Sequence, residues 1–121
     1  MRVAGIGFRR GAGIGSVRDA LARAGAAELR RLALPVSKLD QPLAGALRAA
    51  GFVLQPVEDR LLPHQPVLSD SAAARRSHGT GSVAEACALA ALGPGALLAG
   101  PRIISGDGMA TVAIATKGQA T

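Results

Sequence analysis

The chain has 121 residues, a formal net charge of +6 and 49% hydrophobic residues, almost all Ala, Leu and Val. That is length enough for one domain, residues 1–121, around an aliphatic core. Phe8 and Phe52 are the only aromatic residues, so a stacking platform for single-stranded nucleic acid is missing; no apolar run is long enough for a membrane helix, and the lone Cys87 suggests neither a disulfide nor a metal site.

Residues 3–8 are apolar almost without a break, which predicts a strand buried on both faces of a sheet. A strand at the start, rather than a charged leader and a long apolar run, also argues against a signal peptide, so a cytoplasmic protein is expected. Arg9, Arg10, Gly11 and two further glycines follow. Ser16 then reads as the cap of a first helix, with Asp19 three residues on, and the helix continues to Gly25. Residues 32–36 predict a second strand, with Pro35 at an edge or near a strand end. Lys38 lies in the turn after it. Pro42 suits the first turn of a second helix, which runs to Gly51.

A third strand is expected over 52–57 and a single helical turn over 58–62. The polar stretch 64–78 reads as a mobile loop that delivers Arg75, Arg76 and His78 to the turn at 79–82. That turn, Gly79-Thr80-Gly81-Ser82, leads into an alanine-rich helix ending at Gly93. Ser82 and Glu85 have the spacing of a reciprocal capping box, each side chain reaching the other's amide. Residues 96–98 are short and apolar. Strands over 102–105 and 109–116 then form a hairpin across Gly106-Asp107-Gly108. The last residues are a polar tail. Alternating strands and helices predict an α/β layered domain: a mixed, mostly parallel β-sheet flanked by helices, with a C-terminal β-hairpin.

Several chemistries fail at the level of motif. A dinucleotide fingerprint needs G-x-G-x-x-G, and Arg10 occupies the third glycine position after Gly5 and Gly7. There is no phosphate-binding P-loop and no basic recognition helix. His64 and His78 form no ligand spacing with Cys87, so neither metal nor cofactor is expected. An anion site is more plausible. Residues 1–31 carry seven arginines against Asp19 and Glu28, whereas the other ninety carry seven Lys/Arg against six acids. Arg18 and Arg23 read as a solvated helix face, but Arg9 and Arg10 follow a buried strand directly and suit bidentate capture of carboxylates. Two glycine-led helix starts add backbone amides. Glu85 is either part of a cap or a ligand contact at the mouth of its turn. Glu85 and His78 are also the candidates for acid–base work, and no nucleophile accompanies them.

The motifs at these residues resemble one family. Gly5-Ile6-Gly7-Phe8-Arg9-Arg10-Gly11 resembles the G-[IV]-G-x-R-[RK]-G opening of the CobE family, which is also the C-terminal domain of CbiG in cobalamin biosynthesis. Gly79-x-Gly81-Ser82-Val83-Ala84-Glu85-Ala86 and Met109–Ala115 resemble its G-x-x-[GS]-V-A-E-A segment and closing strand, and Lys38 corresponds to a lysine common after the second strand. Phe8, the extra glycines after Gly11 and the longer 106–108 turn depart from the pattern. The resemblance implies a role in building the corrin ring, and the chain length implies the stand-alone form. The ligand would be a polycarboxylated corrin-ring (precorrin-type) intermediate, held by a carrier or accessory protein at Arg9, Arg10, Gly11, Lys38, Gly79, Gly81, Ser82 and Glu85. One alternative is a hydrolase or lyase that opens a ring-side lactone with loss of a two-carbon fragment. Another is a scaffold partner of other pathway enzymes. No nucleic acid or membrane partner is expected.

Overall fold

The computed structural model describes residues 1–118; the end of the expected polar tail, 119–121, lies outside the described residues. Its elements are β1 (Arg2–Phe8), α1 (Ile14–Arg23), β2 (Arg31–Pro35), α2 (Pro42–Ala49), β3 (Val53–Val57), α3 (Ala72–His78), α4 (Val83–Leu92), β4 (Leu97–Leu98), β5 (Ile103–Ile104) and β6 (Ala110–Thr116). Short 3-10 helices at Val36–Lys38 and Asp59–His64 follow β2 and β3.

The strands form one sheet in the order β3-β2-β1-β6-β4, with β5 also paired to β6. β1, β2 and β3 run parallel; β6 is antiparallel to β1, and β4 and β5 are antiparallel to β6. Hence every strand but β6 points the same way, and the mixed, mostly parallel sheet with a closing β5–β6 hairpin is as expected. In that hairpin Ile103 faces Val112 and Ile104 faces Thr111, and Gly108 takes the positive φ of the turn.

Side chains of a strand alternate between faces, and here the two faces carry different sizes. Toward α1 and α2 point Ala4, Ile6, Leu32, Leu34, Val112 and Ile114, packed on Val17, Leu21, Leu43, Leu47 and Phe52. Toward α4 point Val3, Ala33 and Ala115, against Ala86, Cys87, Ala88 and Leu92. Small residues on both sides let α4 lie very close to the sheet. A Cβ on Gly5 would run into the carbonyl oxygen of Ala84 and come within 2.6 Å of the Ala88 nitrogen. Because α4 is buried nearly all round, it reads as apolar on every side rather than amphipathic.

Three local expectations are corrected. α1 starts earlier than Ser16: Gly13 is its N-cap and makes no side-chain cap bond. Ser16 Oγ instead donates to Asp107 (2.6 Å), and Asp19 accepts from the Gly106 amide and from Arg23, each at 2.7 Å. The long-range partner outcompetes the local cap and ties α1 to the β5–β6 turn. Second, the stretch 64–78 is not all loop. Ser71 Oγ accepts from the Ala74 amide and starts α3, which Gly79 ends at φ 70°. Third, the capping box at α4 is only half made. Ser82 Oγ accepts from the Glu85 amide (3.2 Å), but the Ser82 amide faces Thr80 Oγ1 (3.4 Å) rather than the Glu85 carboxylate.

Gly5→Ala should destabilise the protein by about 3 kcal/mol or more, because backbone blocks the new methyl on α4. Gly45→Ala, in α2 with nothing within 4 Å of the added carbon, should instead gain up to about 1 kcal/mol. Ser82→Ala should cost about 1 kcal/mol through the lost cap. Denaturant unfolding midpoints of the three variants check these values.

Candidate functional site

In sheets with strands running one way, ligands settle outside the carboxyl ends of the strands. A cavity of about 310 Å³ lies there, where β1 ends at Phe8 and Arg9 and β2 ends at Pro35. The rest of its wall comes from Lys38, α3, the start of α4 at Ser82 and Val83, Arg102 and Ile104, and the Gly108–Thr111 end of the hairpin. Phe8, Val83, Ile104 and Met109 make much of this surface apolar.

The charge on the wall has one sign. Arg9, Lys38 and Arg102 line the cavity with His78, and among the described residues no Asp or Glu does. Four ion pairs occur among the described residues, Arg2–Glu28, Asp19–Arg23, Glu58–Arg60 and Asp70–Arg75, and none engages those three cations. Lys38 Nζ stands 6.0 Å from the centre of the Phe8 ring. Among the described residues two buried side-chain polar atoms lack any hydrogen-bond partner, Nη1 of Arg102 and Nδ1 of His78. Both belong to side chains of this wall, and leaving such groups unpaired is costly. Burial and the positive charge of Lys38 push the His78 imidazole below its usual value, against an opposing pull from Asp59.

Of the residues singled out from sequence, Arg9, Lys38, Ser82 and His78 meet at this cavity. Arg10, Gly11, Gly79, Gly81 and Glu85 are not in its wall. The glycines have backbone duties. Gly11 takes φ 88° and Gly79 takes φ 70°, while a Cβ on Gly81 would strike the Ser69 carbonyl oxygen. Arg102 escaped sequence reading. Its local setting, an arginine after Gly100-Pro101 at the start of a short strand, carries no hint that it faces β1. His64 closes the second 3-10 helix away from the cavity.

Glu85 occupies a post that its spacing alone does not reveal. Its side chain is fully buried. One carboxylate oxygen accepts from the amides of Leu68 (2.6 Å) and Ser69 (3.0 Å); the other accepts from the Arg102 amide (2.8 Å) and the Ser69 hydroxyl. Burial alone would raise its carboxyl, but the Ser69 hydroxyl and the three amides outweigh burial and hold it below the ordinary 4.5. Glu85 thereby pins the 68–69 segment and Arg102 to α4. It positions the cavity wall rather than lining it.

Two outcomes test that role. Glu85→Gln turns one acceptor oxygen into a donor facing donors, which should cost about 2–4 kcal/mol in urea unfolding. Since the folded carboxyl is depressed, its contribution is complete above the unfolded value near 4.5 and fades as pH falls through the folded one. Wild-type stability should therefore drop below about pH 4.5, by more than in the Gln variant.

This architecture has close counterparts. A family model described as cobalamin synthesis G C-terminus matches residues 2–115. The crystal structure of CobE, a protein from the cobalamin (vitamin B12) biosynthetic pathway, is 33% identical with TM-score 0.78, covering 95% of this chain and 89% of that one. Cobalamin biosynthesis protein chiG from Agrobacterium tumefaciens str. C58 is 34% identical with TM-score 0.70, covering 98% of this chain and all (100%) of its own. Among curated proteins there is no significant match. With a match along nearly its whole length and these two structural relatives, the chain belongs to the CbiG C-terminal family of cobalamin biosynthesis proteins.

Proposed function

We propose that the cavity receives acid arms of a polycarboxylated corrin-ring intermediate, and that the protein acts in the pathway as a carrier or accessory protein. The observation that carries this reading is the one-signed wall: Arg9, Lys38 and Arg102 with no acidic residue lining the cavity beside them, and a buried Arg102 donor without an acceptor. A carboxylate supplies the missing acceptor and the missing charge at once. The apolar Phe8, Val83, Ile104 and Met109 suit the edge of a macrocycle. About 310 Å³ is at the small end of ligand cavities, room for one edge and its acid arms rather than a whole tetrapyrrole. Arg10 and Gly11, just beyond the wall, are placed to meet acid arms that remain outside.

The hydrolase or lyase reading ranks below this one. Glu85 spends its carboxylate on four protein donors, and His78 has no partner on Nδ1 to orient it as a base. The scaffold reading draws on no particular surface of the molecule.

The experiment is a titration with late corrin-ring intermediates followed by visible absorbance, with the mixture then analysed for chemical change. Binding without conversion is the expected result. Conversion would make the protein an enzyme; neither binding nor conversion would leave a scaffold. Arg102→Ala should weaken binding about 10- to 100-fold, the worth of a buried charge-assisted hydrogen bond. The more exposed Arg9→Ala should cost about 2- to 10-fold, and circular dichroism should show both variants folded. Unchanged affinity in both would end the anion reading.

A further inference from the structure

We infer that His78 is a recognition residue of this cavity whose imidazole takes up one proton from solvent as a ligand carboxylate enters, so that binding is proton-linked. The inference rests on the carboxylate-binding reading above and adds the charge state of a group nothing else assigns.

His78 is the last residue of α3 and lines the cavity together with Arg9, Lys38 and Arg102. Its Nδ1 is buried and has no hydrogen-bond partner. A neutral imidazole carries one N–H, whereas only the protonated ring offers a donor at both nitrogens. In the empty cavity nothing rewards that second donor. The charged groups that act most on the ring are Lys38, from the 3-10 helix after β2, and Asp59, from the one after β3, while Arg9 and Arg102 add positive charge in the same cavity wall. Burial and Lys38 disfavour the charged ring, and Asp59 opposes them without prevailing.

An entering carboxylate deepens the burial of the ring but outweighs it with its acceptor oxygens and its charge. It supplies an acceptor for the buried nitrogen, and its charge offsets Lys38. The ring then becomes easier to protonate in the complex than in the free protein. Linkage fixes the sign: affinity rises as pH falls through the bound-state midpoint, by up to about tenfold per pH unit, and levels off below the free-state midpoint. Above both midpoints the ligand binds the neutral ring and no proton is taken up.

The test uses the full chain and uroporphyrin, an octacarboxylic tetrapyrrole whose acids are ionised near neutral pH. Calorimetric titrations between about pH 6 and 8, in buffers of different ionisation enthalpy, count the protons taken up per complex. The expected result is a net proton uptake that is largest between the free and bound midpoints of His78 and absent in His78→Gln, whose affinity should be flat with pH. Binding with no uptake, or equal uptake in His78→Gln, would overturn the inference and leave the carboxylate site standing. No binding of any kind would remove both. Nuclear magnetic resonance of the two histidines in the wild type gives an answer that does not depend on the variant's folding. The His78 midpoint should lie below 6.5 when free and rise with uroporphyrin, while His64 stays where it was; an unmoved His78 defeats the idea.

Discussion

Where β1 passes beneath α4 the two backbones touch, with only the hydrogen of Gly5 between the strand and the Ala84–Ala88 turn of the helix. The site inherits its dimensions from this contact. It brings the first turn of α4 to the carboxyl end of β1, so that Ser82 and Val83 face Phe8 and Arg9 across the cavity. Gly7 continues the same surface, and a Cβ there would meet Thr111 Oγ1 at 2.8 Å. A larger residue at Gly5 would lift the helix, and one at Gly7 would press on the Thr111 side chain in the cavity wall. Sheet face, helix composition and cavity shape are therefore one constraint seen at three scales.

Glu85 holds the other side of the arrangement. A carboxylate buried without partners would be intolerable, yet this one has a donor for each lone-pair direction it uses. The donors come from two places in the chain: the 68–69 segment, with two amides and the Ser69 hydroxyl, and the backbone of Arg102. The anion inside thus fixes a cation of the wall, since Arg102 lines the cavity from a backbone that Glu85 holds. The β5–β6 turn is secured in a similar way. Asp107 is held down to about 2 by the hydroxyls of Ser105 and Ser16 and the Met109 amide, which anchors the opposite wall to α1.

Much of this was legible in the residues. Strands announce themselves through unbroken or alternating apolar runs, and β1, β2, β3 and β6 lie within a residue or two of their expected places. The cap at Ser82, Pro42 at the head of α2 and the glycine turn of the hairpin are local signals with local causes. What stayed hidden is long-range. α3 has no apolar period because it packs on the rim and buries none of its residues. Ser16 looks like a cap until Asp107, 91 residues away, claims its hydroxyl. The spacing of Ser82 and Glu85 fits a capping box perfectly well, and only the folded position of residues 68, 69 and 102 shows that the carboxylate turns elsewhere. Arg9, Lys38 and His78 could be suspected singly, but their meeting with Arg102 is a property of the sheet order, which places the start of β6 beside the end of β1.

The packing of α4 has a kinetic side as well. Cys87 is the only thiol of the chain and sits with no exposure in the seam between α4 and the sheet, where burial, with Asp59 adding to it, pushes its ionisation far up. A thiolate is the reactive form, so an alkylating reagent has no purchase on the closed molecule. Labelling can proceed only during excursions in which the helix leaves its bed. The rate of that single modification is thus a clock for the opening of α4, and any ligand that bridges the helix start to the strand ends will slow it.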